Sequence, residues 1–274
     1  MEVVKTRLQL QGELEARNVA HVRQYNGAFS AFVKILRTEG IRGIQKGLLP
    51  GYFYQSLMNG TRLGFYEPIR DILISTGDWI GGEGAASTGV GKAVAMVTSG
   101  AGCGMLGAAF GSPFFLVKTR MQSYSPHMAV GAQHSYVLGG LWKSFGHIYR
   151  NEGAAGLWRG ADASMLRTGV GSAVQLSTYD ASKNLLIKSG WFKIADGDGG
   201  VALHFAASAF TSFFVCTAMN PFDVLSTRMY NQNRTADGKG ALYSSVFDCM
   251  RKTLGTEGPG ALFKGYFAHY LRIG

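Results

Sequence analysis

Residues 102–107 read GCGMLG. In a strand–turn–helix unit, glycines at this spacing let the backbone approach a dinucleotide pyrophosphate, and an acid about 20 residues further on holds the ribose. No Asp or Glu occurs between Glu83 and Glu152, so a soluble NAD-dependent enzyme lacks half of its machinery. Cys103, Cys216 and Cys249 show no CxxC and no metal-ligand spacing, and two of them lie in apolar runs, as small core residues do. The six histidines are scattered without an HxxxH pair, and no Ser/His/Asp or Cys/His set is grouped. No metal, no cofactor and no enzymatic activity are expected. The remaining chemistry lies in charged residues set among apolar ones. Glu2 and Lys5, Lys118 after Pro113, and Asp223 after Pro221 stand at related offsets, and Arg167 and Arg272 sit in largely apolar segments. An arginine stays charged and can grip a carboxylate or sulfate through two parallel hydrogen bonds.

These residues are carried on unusual elements. Ala93 to Val117 is a run of 25 residues without Asp, Glu, Lys or Arg, and Val201 to Phe222 is another of 22. Either could cross a ~30 Å hydrocarbon core, which takes about 20 helical residues. GCGMLG lies inside the first run. Gly100, Gly104, Gly107 and Gly111 recur there at steps of four, three and four, which places them along one helix face where small residues let helices approach closely. Pro113 then kinks the span, with Lys118 at its end. The mean hydropathy of +0.05 hides this pattern, because apolar spans alternate with charged loops. The formal net charge is +10, and its basic residues form neither a block nor a stripe. That argues against nucleic acid and leaves anionic lipid or an anionic solute. The opening MEVVKTRLQLQGE has charges where a signal peptide needs an apolar run.

Internal repeats organise the whole chain. EGIRGIQKG at 39–47, EGAAGLWRG at 152–160 and EGPGALFKG at 257–265 are three copies of one element. Each follows an amphipathic, helix-like segment that begins near a tyrosine: YNGAFSAFVKILRT, YVLGGLWKSFGHIYRN and YSSVFDCMRKTLGT. Further upstream SPFFLVKTRMQ at 112–122 matches NPFDVLSTRMY at 220–230, and the opening MEVVKTRLQ fits the same pattern. Second, more polar spans run over 48–70 and 161–183 and end in Tyr66-Glu67…Arg70 and Tyr179-Asp180…Lys183. Ionisable groups at membrane depth cost at least ~2.5 kcal/mol, so they normally face a partner or a water-filled path.

With the pattern P-x-[D/E]-x-x-[K/R] traceable at three sites, the first without its proline, the second with Phe115 in place of the acid and the third with Ser226 in place of the base, each followed by EG…[K/R]G, the chain resembles the mitochondrial carrier family over nearly its whole length. SPFFLVKTRMQSYS, RTGVGSAVQLSTYD and NPFDVLSTRMYNQ further resemble the oxaloacetate carriers of fungi and their animal relatives. The resemblance implies an all-α membrane protein: three tandem repeats of two transmembrane helices plus a short matrix amphipathic helix, in a pseudo-threefold barrel. The repeats would occupy 1–80, 81–190 and 191–274. It also implies transport of small dicarboxylates or inorganic anions (oxaloacetate, malonate-type acids, sulfate, thiosulfate) across the mitochondrial inner membrane by alternating access. The expected partners are small anionic metabolites and anionic lipid such as cardiolipin, with no nucleic acid, and the expected state is a monomer.

Site roles follow residue by residue from the resemblance. Acid and base of the proline motif form a ring of ion pairs closing the matrix side, each acid pairing with the base of the next repeat. That implies Glu2–Lys118 and Asp223–Lys5. The third pair falls on Phe115 and Ser226, which cannot be ionic; loss of both partners at once avoids an unpaired buried charge. Glu67–Arg70 and Asp180–Lys183 match the cytoplasmic gate. Seven residues past the last glycine of each EG…[K/R]G come Tyr54, Arg167 and Arg272, positions that contact substrate in the family, with Gln55 and Thr168 at the same level. Arg62 lies one to two turns beyond Tyr54, where it adds to the field or pairs with an acid. On this plan the first half of helix 1 and most of helix 6 fall outside the chain. We therefore expect a barrel truncated at both ends that does not transport in liposomes. The alternatives are a transport-impaired carrier fragment, a carrier for another anionic metabolite, and a membrane scaffold that only binds partners.

Overall fold

The computed structural model describes residues 1–13, 24–81, 89–127, 130–188, 200–233 and 240–273. Among them helices dominate and no β-strand forms: α1 (Glu2–Leu10), α2 (Ala28–Ile44), α3 (Leu48–Gly81), α4 (Gly89–Ser123), α5 (Leu141–Leu157), α6 (Ala161–Lys188), α7 (Gly200–Asn231), α8 (Val246–Thr256) and α9 (Tyr266–Ile273). The second expected repeat boundary, at 190–191, lies outside the described residues.

The repeated sequence unit becomes a repeated structural unit. Repeat two shows it in full: α4, a long helix with Pro113 and a charged end, leads through a loop to the short amphipathic α5 and then to the long α6, while α1 and α9 are short, at nine and eight residues. The short helices α2, α5 and α8 bury one face each, through Ala31 and Ile35, Leu141 and Ile148, and Val246 and Cys249. Ser245 caps α8 by accepting the Asp248 amide at 3.2 Å. The two glycines of each EG…[K/R]G element explain the motif. Gly40, Gly153 and Gly258 have φ of 66°, 70° and 81°, and Gly47, Gly160 and Gly265 have φ of 75°, 79° and 76°. Only glycine enters this left-handed region without a Cβ penalty, so the motif is a pair of turns that redirects the chain into the next long helix.

α4 packs along α3 and α6, α7 along α6 and α9, and α1 touches α4, α7 and α9. The glycine seam of α4 meets two neighbouring helices, α6 and α3. A Cβ on Gly104 would sit 3.0 Å from the Ser172 hydroxyl of α6. A Cβ on Gly107 would sit 3.0 Å from the Met58 carbonyl, and one on Gly111 2.7 Å from the Tyr54 ring, both on α3. Successive helical residues turn by 100°, so these glycines stay within about 60° of one another, and the seam meets α6 at Gly104 and α3 at Gly107 and Gly111. Pro113 has no N–H for the carbonyl of Ala109, four residues back. The Trp158 indole supplies it instead, with Nε1 donating to that oxygen at 3.0 Å.

Large apolar side chains point outward: Leu63 is 82% exposed, Phe205 74% and Ile72 63%. The interior by contrast holds charge among its apolar residues, with Arg7, Arg120 and Arg228 fully buried. An apolar exterior around a charged interior is the arrangement for lipid surroundings. By length and composition, Met96–Ser123 and Leu203–Asn231 suffice to cross a membrane, with mean hydropathy 1.4 and 1.2.

Candidate substrate site and gate

A central cavity of about 860 Å³ is lined by three helix faces. α3 contributes Tyr54, Gln55, Met58, Asn59 and Arg62; α6 contributes Arg167, Thr168, Ser172, Gln175 and Tyr179; α7 contributes Ser208, Thr211, Ser212, Val215 and Met219. Most of these recur at three- and four-residue steps, so each helix turns one stripe inward. Glu2, Lys5, Phe115 and Lys118 line one end, together with Arg272 from α9. Tyr54, Gln55, Arg167, Thr168 and Arg272, the five residues selected by repeat arithmetic, thus all line one cavity. Arg62 lines it too. The Thr168 hydroxyl is turned back onto its own helix, donating to the Ser164 carbonyl at 2.9 Å.

Arg167 is the best buried of these cations. Its Nη2 donates to the Tyr54 hydroxyl at 2.8 Å, and its guanidinium lies over the Phe115 ring at 5.1 Å. Its Nε is buried without a hydrogen-bond partner among the described residues.

Below the cavity the proline-motif charges meet. Lys118 Nζ contacts Glu2 at 2.6 Å and Lys5 Nζ contacts Asp223 at 2.7 Å. The third position is apolar: Phe115 packs on Tyr54 and Tyr230, with ring centroids 4.9 and 5.1 Å apart, and the Tyr230 hydroxyl bonds to Ser112 at 2.8 Å. Ser226, expected opposite Phe115, is fully buried with no hydrogen bond to its hydroxyl among the described residues, so the aromatic contact forms one turn further along. Two contacts escape sequence reading. Arg272 Nη1 reaches Glu2 at 2.7 Å, and Arg167 Nη1 lies 3.7 Å from Asp223. At the opposite end Arg70 bonds its chain neighbour Asp71 at 2.9 Å. Glu67 is exposed and Lys183 half-buried; the Asp180 side chain lies outside the described residues.

A second layer of ion pairs beneath these contacts repeats three times and was missed in the sequence reading. Arg7 pairs with Glu39 at 2.5 Å, Arg120 with Glu152 at 2.6 Å and Arg228 with Glu257 at 2.6 Å. Each arginine also donates to a main-chain carbonyl of the next repeat: Arg7 to Gln122 at 3.1 Å, Arg120 to Tyr230 at 3.1 Å, Arg228 to Gln9 at 3.5 Å. The signal was present in the repeats, as Thr-Arg at 6–7, 119–120 and 227–228 and the glutamate of each EG element. Burial raises the pKa of Glu39, but hydrogen bonds from Arg7, Lys46 and Ser125 outweigh it and hold the carboxyl down at about 2. His134, in the loop after α4, is lowered to about 4, by burial first and by the Arg120 charge next.

An apolar helical shell around a cation-lined cavity, closed at one end by inter-repeat ion pairs, defines a membrane solute carrier built from three repeats. The family described as "Mitochondrial carrier protein" matches residues 1–77, 90–190 and 198–274. The chain belongs to the mitochondrial carrier family, whose members are transporters of the mitochondrial inner membrane. It is 47% identical over 274 residues to the mitochondrial citrate transporter E of Aspergillus niger, covering 99% of this chain and 81% of that one. It is 43% identical over 273 residues to the mitochondrial oxaloacetate transport protein of Saccharomyces cerevisiae, covering 100% and 78%. Against human solute carrier family 25 member 35 the identity is 39% over 275 residues, covering 100% and 86%.

Proposed function

We propose that the protein moves small dianions, of the oxaloacetate, malonate, sulfate and thiosulfate type, across the inner membrane by alternating access. The observation that carries this is the facing of Arg167 and Arg272, from equivalent positions of repeats two and three, into one cavity that Lys5 and Lys118 also line. Two guanidinium groups and the Tyr54 hydroxyl suit a ligand with two charged ends. Relatives named as oxaloacetate transport proteins support the same reading. Glu2, Lys5, Lys118 and Asp223 form the matrix gate; Glu67, Arg70, Asp180 and Lys183 form the cytoplasmic one. With the first set paired and Arg70 turned to Asp71, the cavity opens to the cytoplasm.

A second reading takes another anionic metabolite such as a tricarboxylate, because Arg62 adds a further cation to the cavity and one relative is named as a citrate transporter. Proteoliposomes containing the chain extended to the full length of its relatives, loaded with one anion and offered labelled oxaloacetate, sulfate or citrate, separate the two. Exchange of oxaloacetate and sulfate is expected. Exchange of nucleotides or cations alone would sink both readings.

A further inference from the structure

We propose that the cavity holds an outer anion subsite, made by Arg62, Gln175 and Thr211 about two helical turns further from the gate than Arg167, at which an incoming carboxylate or sulfate is held before it reaches the inner arginines. This rests on the anion-carrier reading above. The inner arginines have carboxylates beside them: Arg272 lies 2.7 Å from Glu2 and Arg167 3.7 Å from Asp223. Arg62 lines the same cavity and makes no ion pair and no hydrogen bond among the described residues. It stands 14 residues after the start of α3 and 19 before its end, so neither helix end is within reach of a snorkelling side chain. A guanidinium that faces a cavity without a counter-ion draws an anion and can grip it with two parallel hydrogen bonds.

The heights of the helices bring the other two residues to Arg62. Arg62 and Gln175 stand eight residues after Tyr54 and Arg167, whose side chains meet at 2.8 Å. The two repeats therefore carry them to one height, ~12 Å further along α3 and α6. On α7 the height follows from contacts with α6. A Cβ on Gly171 would collide with Met219, and the Tyr179 hydroxyl contacts His204 Nδ1 at 2.9 Å. Gln175 lies midway between Gly171 and Tyr179, and Thr211 and Ser212 lie midway between His204 and Met219. Ser212 turns its hydroxyl onto the Ser208 carbonyl at 2.8 Å. Thr211 keeps its hydroxyl buried and without a hydrogen bond among the described residues, although the residue lines the cavity. An anion oxygen supplies the acceptor that this hydroxyl lacks. The subsite thus presents a charged fork, an amide and a hydroxyl. Among the described residues that line the cavity the one acid is Glu2, at the gate end.

The test measures equilibrium and stopped-flow binding of sulfate and of malonate to the purified chain, unmodified and as Arg62→Gln, Thr211→Val and Arg167→Gln. The unmodified chain should show a tight and a weak class of site. Arg62→Gln should remove the weak class and slow association with the tight one by about tenfold, the scale of electrostatic steering, with its dissociation rate unchanged. Arg167→Gln should weaken the tight class and keep the weak one. Loss of the Arg62 charge also lowers the field of the whole cavity, so Thr211→Val, which changes no charge, separates a site from a field. It should weaken the weak class by roughly threefold to tenfold, the worth of one hydrogen bond, and leave the tight class as it was. Retention of the tight class in both variants shows that the fold has survived. A single class of site in the unmodified chain, or a weak class that Arg62→Gln and Thr211→Val leave intact, would overturn the inference while sparing the anion reading. Failure of the unmodified chain to bind either anion would overturn both.

Discussion

At the scale of single residues, geometry distinguishes charge from shape. Arg167 reaches Tyr54 and Phe115 through opposite features of one planar group, an N–H edge and a face. Lysine would keep the charge and lose both the fork and the stacking surface. Arg167→Lys should therefore weaken malonate or sulfate binding roughly tenfold to a hundredfold, the equivalent of about 1.5–3 kcal/mol for hydrogen bonds to a charged group. Calorimetric titration of the purified variant measures this; unchanged affinity would reduce Arg167 to a contributor of field alone. Tyr54→Phe removes one hydroxyl and leaves the aromatic contact with Phe115, so the expected loss is smaller, about 0.5–1.5 kcal/mol. Much of this site was legible from one sequence because the repeats act as an internal alignment. Counting seven residues from each glycine aligned Tyr54, Arg167 and Arg272, and the family resemblance implied the pairing of Glu2 with Lys118 and of Asp223 with Lys5. The Arg272–Glu2 and Arg167–Asp223 contacts were not legible. They depend on the depth at which helices from different repeats cross, which no residue spacing encodes.

At the scale of elements, the proline kinks are where sequence logic and tertiary contact meet. Pro113 and its loss of a main-chain donor were readable; the remedy was not. Trp158 lies 49 residues from the Ala109 carbonyl it satisfies, on the turn between α5 and α6. It braces the helix that carries Phe115 and Lys118. In repeat three the corresponding residue is Phe263, which has no N–H to give. A main-chain carbonyl without a donor is costly where lipid replaces water. Trp158→Phe should thus cost about 1–3 kcal/mol, the penalty of an unsatisfied buried group, seen as a lower melting temperature in detergent. Pro113→Ala restores the missing amide, so adding Trp158→Phe to that background should cost much less. Equal costs in the two backgrounds would mean that the indole stabilises by packing and not by this hydrogen bond.

At the scale of the whole molecule, the fold is closed by a cycle. Arg7, Arg120 and Arg228 each join a glutamate of their own repeat to a carbonyl of the next, so the three repeats hold one another at the end that carries the gate. Removing one partner of a buried ion pair typically costs about 3–5 kcal/mol, so Glu39→Gln should weaken the whole assembly. Two groups outside the spans give this end a defined acid sensitivity. His134 has its pKa lowered from its ordinary 6.5 to about 4, which means the folded state favours the neutral ring. Its contribution is present above about 6.5 and is lost as pH falls towards 4. Glu39 is lowered from 4.5 to about 2, so its contribution is present above 4.5 and is lost as pH falls towards 2. Melting temperature measured against pH should fall in two stages, beginning near 6.5 and steepening below 4.5. His134→Gln should flatten the first stage, since its ring nitrogen contacts the Asn231 carbonyl at 2.8 Å and glutamine can donate there without titrating. Glu39→Gln should lower stability near neutral pH and flatten the second stage. A profile left unchanged in shape by both substitutions would place the acid sensitivity elsewhere in the molecule.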